Sequence, residues 1–110
     1  MAYKGDGSVL AWIHFNGNNA SIQQSYNISS ISRYSTGMYQ VNFSTNCANT
    51  SYCVNINKRL SNSGTTSADK VFCSVINAAK TTSLVRVFTR SDSGSLIDCD
   101  EVYVVIVGDN

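Results

Sequence analysis

Apolar and polar residues alternate along much of this chain, in short runs separated by Gly, Asn or Ser. The stretch over residues 11–43 shows the pattern best, as AWIHFNG, then SYNISSIS, then TGMYQVNF. A period of two buries one side of a segment and leaves the other side in water, which indicates the strands of an antiparallel sheet. Because no helical period of useful length occurs, the chain is predicted to be all-β.

The alternating runs and the turns between them predict about eight short strands. We place them at Val9–Phe15, Ser21–Gln24, Tyr26–Ile31, Met38–Ser44, Tyr52–Lys58, Val71–Asn77, Leu84–Arg90 and Glu101–Val107. Both faces of the first strand are largely apolar, so we expect it in the middle of the fold, with Trp12 packed in the core. In the seventh strand, Val85 and Val87 are expected to face the core. Arg86 and Arg90 then face solvent.

Strands of this number and spacing indicate a single-domain antiparallel β-sandwich. The 110 residues suffice for one domain with one modest core. We expect the sandwich to occupy residues 9–110, after a short polar N-terminal arm over residues 1–8. Because the chain contains no proline, its edge strands need protection by charge, by bulges or by pairing with another chain, which favours an oligomer.

The chain is nearly neutral, with a formal net charge of +1 and 14% charged residues. Nucleic-acid-binding proteins usually carry a clustered basic stripe, whereas Lys58 and Arg59 are the only adjacent basic pair here. We therefore expect no nucleic-acid partner. No segment approaches the roughly 20 apolar residues that span a bilayer, and the start of the chain lacks the apolar core of a secretory signal. We expect neither a membrane partner nor classical export.

Short polar residues dominate the composition, since roughly one third of the chain is Asn, Ser or Thr, well above average usage. β-Branched and aromatic residues are also plentiful and periodic, which favours a folded β-protein over a disordered chain. The wet face of such a protein consists of small hydroxyl and amide groups. It can hydrogen-bond to sugars or to a neighbouring subunit.

The four cysteines, at positions 47, 53, 73 and 99, have irregular spacing and form no CxxC pair. With His14 as the only histidine, we expect no structural zinc site, and we predict no metal or other cofactor. Buried free thiols are the favoured interpretation, since free Cys packs like a small apolar residue. The alternative, in an oxidising medium, is disulfide formation. We would then pair Cys53 with Cys73, in strand-like runs, and Cys47 with Cys99, in turn regions.

No catalytic arrangement stands out in the sequence. Nucleophilic catalysis needs a base near Ser, Thr or Cys, and His14 lies in a predicted central strand, where a structural role is favoured. The one local acidic group is Asp98, Asp100 and Glu101, with Asp92 nearby. We interpret it as a polar turn before the last strand; a weak calcium site is the alternative, although EF-hand spacing is absent. The chain is therefore predicted not to be an enzyme.

The longest predicted loop covers residues 59–69 and is rich in Ser, Thr, Asn and Gly. Loops of this kind commonly carry binding residues, so Arg59, Asn62 and Thr65 are candidate ligand-binding residues. Tyr34 joins them because it lies in a polar stretch. There an exposed ring can stack on a sugar, or equally pack against a neighbouring subunit.

Several of these segments also resemble a small all-β domain of bacteriophage virion proteins, found mostly in tail-fibre-type proteins. The resemblance rests first on AWIHFNG and SYNISSIS, and on Gly37, Tyr39, Val41, Asn42 and Phe43. It continues over most of the chain, through Tyr52, Val85-Arg86-Val87 and the ending from Leu96-Ile97-Asp98 to Val107-Gly108. Cys47 and Cys99 depart from it, because relatives tend to have turn residues, Pro among them, at these places.

The resemblance implies a virion protein, with no catalytic residues and no established ligand residues to carry over. We expect assembly in the bacterial host cytoplasm, a location on the virion, other virion proteins (tail or capsid subunits) as partners, and a homotrimer. One open function is a tail-fibre-type module for host attachment, with a host surface glycan as receptor. The other is a capsid decoration, or cement, protein. Family usage favours the attachment module. Fibres normally carry this domain behind a long shaft and an attachment region, whereas only residues 1–8 precede it here, which favours the decoration protein.

Overall fold

The computed structural model describes residues 8–59, 72–91 and 93–109, apart from the side chains of residues 77–79. These ranges contain eight strands and no helix. The strands are β1 Ser8–Asn16, β2 Ser21–Tyr26, β3 Ile28–Ser35, β4 Met38–Phe43, β5 Cys53–Arg59, β6 Phe72–Lys80, β7 Leu84–Arg90 and β8 Glu101–Gly108. The all-β prediction is confirmed, and β1 begins at Ser8, one residue earlier than expected.

The strands form two four-stranded sheets that pack as a β-sandwich, and every strand pairing is antiparallel. Sheet I has the order β2-β1-β8-β5, and sheet II has the order β3-β4-β7-β6. As its two apolar faces predicted, β1 has a neighbour on each side. Across the described ranges, no helix is long and apolar enough to cross a membrane.

The core lies between the two sheets and is built mainly from alternate residues of β1, β4, β7 and β8. Its buried strand residues are Ala11, Ile13, Phe15, Tyr39, Val41, Phe43, Val85, Val87, Val102, Val104 and Ile106. Phe15 and Tyr39 meet edge to face, with their ring centroids 5.0 Å apart. Removing these apolar surfaces from water is the main favourable contribution to folding. The inward face predicted for β7 is confirmed.

A β-bulge interrupts the alternation near the start of β1. Val9 lies opposite Val107, and Ala11 lies opposite the adjacent residue Ile106, so Leu10 is the extra residue. Leu10 packs against the core, whereas Val9 is 52% exposed. A strict period of two would place Val9 inside with Ala11. The bulge sets two residues against one and thereby reverses this assignment.

Asn27 separates β2 from β3, which belong to different sheets. Its φ of 58° lies in the left-handed region, which Asn tolerates better than most residues. Its side-chain amide nitrogen donates to the carbonyl oxygens of Leu10 and Thr45, at 3.0 and 3.2 Å, and its side-chain oxygen accepts the N–H of Thr45 at 2.8 Å. The strand break predicted after Gln24 is wrong, since β2 continues to Tyr26.

Candidate functional site

The outer face of sheet II carries two arginines, Arg86 and Arg90. The four strands of this sheet contain Arg33, Lys80, Arg86 and Arg90 but no Asp or Glu. Arg86 and Arg90 lie on β7 and, as predicted, alternate with its buried residues. Within the described part of the chain, neither of these two guanidinium groups forms an ion pair. Their positive charge is therefore available at the surface.

A tyrosine ring and a row of polar side chains hold Arg86 in place. Its guanidinium lies over the ring of Tyr34, 4.9 Å from the ring centroid. Its Nε donates to Oε1 of Gln40 at 2.9 Å. The row continues from Gln40 to Asn42 and from Asn42 to Ser30, with an amide nitrogen donating at 2.9 Å in each case. These bonds cross from β7 through β4 to β3 and fix the direction in which the guanidinium points.

Arg90 makes a second arginine–ring contact on the same strand. Its guanidinium carbon lies 4.9 Å from the ring centroid of Phe88, and its Nη1 donates to the carbonyl oxygen of Gly94 at 2.7 Å. Phe72 stands opposite Arg90 in the strand register and is 60% exposed. The surface that these contacts define, called the basic aromatic face below, consists of Tyr34, Gln40, Phe72, Arg86, Phe88 and Arg90.

Part of the outer face of sheet I, across β2, β1 and β8, is apolar rather than basic. Trp12 lies between Tyr26 and Val105, its register partners on β2 and β8. The core position expected for Trp12 is wrong, because its neighbours Ala11 and Ile13 take the inward positions and leave it half-buried on the outside. Tyr26 is 55% exposed. The surface called the apolar face below consists of Val9, Trp12, Tyr26, Val105 and Val107.

A small charged cluster lies on the outer side of sheet I, near the end of β5. Oε1 of Glu101 lies 2.8 Å from Nε2 of His14, and Oε2 accepts a hydrogen bond from Arg59. The hydrogen bond from Arg59 is the main reason why the pKa of Glu101 is lowered, although partial burial opposes it. The ring centroids of His14 and Tyr103 are also 4.7 Å apart. The cluster thus joins β1, β8 and β5 through one carboxylate.

Asp98 anchors the turn between β3 and β4. Its carboxylate accepts the N–H of Gly37 at 2.7 Å and lies 3.0 Å from the hydroxyl of Tyr39. Nη2 of Arg33 donates to the same carboxylate at 2.7 Å. Burial opposes ionisation of this carboxyl, but the hydrogen bonds together outweigh burial and lower the pKa of Asp98. The arrangement is that of a structural ion rather than a catalytic acid.

The acidic residues near β8 do not converge on one site. Asp98 and Glu101 have the separate partners given above, and Asp100 accepts a hydrogen bond from Nδ2 of Asn18 at 3.1 Å. Asp92 lies outside the described residues. Among the residues whose placement is described, no three His, Cys, Asp or Glu side chains are grouped so that they could hold a metal ion. This geometry gives the calcium alternative no support.

The structure does not bring the predicted ligand residues together. Tyr34 lies on β3, an edge strand of sheet II, and is 42% exposed. Arg59 ends β5, an edge strand of sheet I, and is bound to Glu101. Asn62 and Thr65 lie outside the described residues. The residues that do accompany Tyr34, above all those of β7, were missed, because the sequence shows which of them face outward but not which strands are neighbours.

All four cysteines are free thiols, and the fold brings neither proposed disulfide pair together. The N–H of Cys47 donates to the carbonyl oxygen of Thr82, just before β7. Cys99 follows Ile97, whose N–H donates to the carbonyl oxygen of Thr89 near the end of β7. Roughly 20 Å of strand separates these two places, whereas a disulfide needs Cα atoms within about 7 Å of each other.

The second pair is separated along β5. Sγ of Cys73 lies 3.5 Å from the carbonyl oxygen of Ile56, and about 10 Å of strand lies between Ile56 and Cys53. Cys73 is half-buried and Cys53 is exposed, so the expectation of buried thiols is confirmed for Cys47 and Cys99 but is wrong for Cys53. The alternating strand pattern could not show this offset, because it says nothing about how two sheets are stacked.

The four thiols are expected to differ strongly in reactivity. Cys53 should react first with an aromatic disulfide reagent, because it is exposed in the native protein. Burial raises the pKa of the Cys47 and Cys99 thiols, so these two should react only after unfolding. Thiol titration without reductant, under native and denaturing conditions, tests this, with mass spectrometry to assign the modified sites. Fewer than four reactive thiols in the unfolded protein would contradict the expectation.

No protein-family model, curated protein or solved structure matches this chain. The two outer faces are therefore interpreted from their own chemistry. The basic aromatic face combines ring surfaces, amide groups and guanidinium donors, which is the mixture of apolar and directional polar groups that ligand sites use. The apolar face offers contact area with few directional groups and is more typical of a subunit contact.

Proposed function

We propose that the protein is a non-enzymatic binding module on the exterior of a bacteriophage particle, and that it attaches the particle to a glycan on the host surface. The basic aromatic face is the observation that carries this proposal. The exposed rings of Tyr34 and Phe72 suit the C–H side of a sugar ring. The amide of Gln40 and the guanidinium of Arg86 suit its hydroxyl groups.

The location on the virion rests on the resemblance to tail-fibre-type proteins. The apolar face supports contacts with other virion subunits, including further copies of this chain in a homotrimer, because grouped apolar residues at a surface are typical of protein–protein contacts. Tail subunits are the partners in this proposal, and assembly takes place in the cytoplasm of the bacterial host.

A second candidate function is capsid decoration, and the apolar face favours it. A cement protein must hold two or more capsid subunits through extended contact surfaces, and an apolar outer sheet can supply one of them. In that case the basic aromatic face would lie against another capsid subunit or point away from the head.

Immunogold electron microscopy of intact virions separates the two candidates. Gold-labelled antibody at the tail appendages is the expected result and places the protein where host attachment occurs. Gold over the head would make it a decoration protein and overturn the attachment role. Particles without label would remove the protein from the virion exterior altogether.

Two exposed tyrosines on opposite sheets give a matched test of which face meets the host. Tyr34→Ala is expected to weaken binding of the purified protein to host cells about tenfold, since it removes a ring and the support of Arg86. Tyr26→Ala removes a ring of similar exposure from the apolar face and should leave cell binding unchanged. Binding isotherms with fluorescently labelled protein give both values. The reverse ranking would assign the contact to the apolar face instead.

A further inference from the structure

We propose that the basic aromatic face recognises an acidic polysaccharide, one that carries negative charges at intervals along its chain, in preference to a neutral one. The inference rests on the proposed glycan-binding function and names the class of glycan. The charge, the spacing and the orientation of two arginines support this preference.

All charged residues on the strands of sheet II are basic. Its strands contain four basic residues and no acidic residue. Arg33 forms an ion pair with Asp98, and the ammonium of Lys80 lies over the ring of Tyr52, 4.6 Å from the ring centroid. Arg86 and Arg90 have neutral partners only, among the residues that the structure describes. A ligand with negative charge is the natural complement of two such groups.

The spacing of the two arginines favours an extended ligand. Arg86 and Arg90 lie on the same side of β7 with Phe88 between them. Four residues of strand correspond to about 13 Å, which is longer than one sugar ring. Two charges at this backbone spacing match an extended ligand better than a single small anion. A polysaccharide with repeated charges can place one charge on each arginine.

Both guanidinium groups are oriented before any ligand binds. Arg86 uses its Nε for Gln40 and rests on a ring, and its terminal nitrogens have no hydrogen-bond acceptor among the described residues. Arg90 uses Nη1 for the carbonyl oxygen of Gly94 and rests on Phe88. Arginine in this position presents a planar fork to a carboxylate or a phosphate. Because the side chains are already held, little conformational entropy is lost on binding.

A polysaccharide fits this face better than a nucleic acid. Next to Arg86 the surface carries the amides of Gln40 and Asn42 and the hydroxyl of Ser30, linked in one hydrogen-bonded row. Such groups match sugar hydroxyls. A protein surface that binds nucleic acid would need a longer row of basic residues. The whole chain has a net charge of only +1.

The test compares two polymers that differ only in charge. Polygalacturonate carries a carboxylate on every sugar, and its fully methyl-esterified form has the same backbone without charge. We expect the protein to bind polygalacturonate at least tenfold more tightly at low salt, and the difference to shrink as salt screens the charges. Arg86→Gln and Arg90→Gln should each weaken that binding about tenfold. Lys58→Gln, the same charge change on sheet I, should have little effect.

Each outcome of this comparison is decisive. Equal binding of both polymers, or unchanged binding by the two arginine variants, would overturn the acidic preference. Tighter binding of an oligothymidylate than of polygalacturonate at the same salt concentration would overturn it too, and would identify a nucleic-acid site. The proposed function is tested separately by host-cell binding. If cell binding persists while the acidic preference fails, only the glycan class is wrong; if the protein binds neither cells nor polymers, both proposals fall.

Discussion

Asp98→Ala is expected to lower the free energy of unfolding by about 3 kcal/mol. The substitution removes the acceptor of the Gly37 N–H and a hydrogen-bonding partner of the Tyr39 hydroxyl. Gly37 and Tyr39 are both buried, so the loss leaves polar groups in the interior with fewer partners. It also removes the ion-pair partner of Arg33. Equilibrium unfolding in urea at pH 7, followed by tryptophan fluorescence, measures the change.

Asp100→Ala is the matched control for this substitution. Asp100 is two residues away and, within the described ranges, accepts one exposed hydrogen bond, from Asn18. Its removal should change the free energy of unfolding by less than about 0.5 kcal/mol. Equal losses for the two variants would show that Asp98 is not the anchor of the β3–β4 turn.

The contribution of Asp98 should also depend on pH in a defined direction. Its pKa is lower in the folded protein than in the unfolded chain. The carboxylate therefore stabilises the fold above the unfolded pKa of about 3.9, and this stabilisation is lost as the pH falls through the folded value. The wild-type protein and Asp98→Ala should differ most at neutral pH and converge below about pH 4. A constant difference from pH 7 to pH 2 would contradict the ionic role.

Gly37→Ala is expected to lower the free energy of unfolding by about 3–4 kcal/mol. Gly37 has φ 68°, where an L side chain is strained. A Cβ atom there would also lie 2.6 Å from the carbonyl oxygen of Ile97 and 2.7 Å from that of Thr89. These are backbone atoms, held by the hydrogen bond from the Ile97 N–H to Thr89, so they cannot move away without breaking the pairing.

Gly94→Ala separates the two causes. Gly94 also has positive φ, 89°, but no heavy atom lies within 4 Å of the Cβ that Ala would add. Only the backbone strain remains, so we expect a loss of about 1–2 kcal/mol. Urea unfolding of both variants gives the difference, which measures the steric part at Gly37. If the two losses are equal, the close approach at Gly37 makes no steric contribution to the free energy of unfolding.

The two outer faces connect the fold to the proposals. On sheet II, Arg86 and Arg90 of β7 and the polar side chains of β4 and β3 produce a surface for a ligand in water. On sheet I, the corresponding positions of β1 and β8 carry Trp12, Val105 and Val107, which suit contact with protein. In the proposed function, one sheet binds a host glycan and the other sheet holds the protein to the particle.

The sequence alone predicts those features of this protein that depend on local physical chemistry. Alternation alone predicted the all-β class, the sandwich, most strand positions and the inward and outward sides of β7, because a strand turns successive side chains to opposite faces. In β1 both sides of the strand are apolar, so alternation does not show which side faces the core. It therefore predicts a core position for Trp12, and it does not reveal the bulge at Leu10.

Contacts between distant segments were decided only by the tertiary structure. Arg86 meets Tyr34 and Gln40 because β7, β4 and β3 are neighbours, and strand order is a property of the whole chain rather than of any one run. The same holds for Asp98 and Gly37, which lie 61 positions apart in sequence. The sequence by itself determined which side chains each strand could offer to solvent. Packing of the two sheets determined which of them stand side by side, and therefore where a ligand can bind.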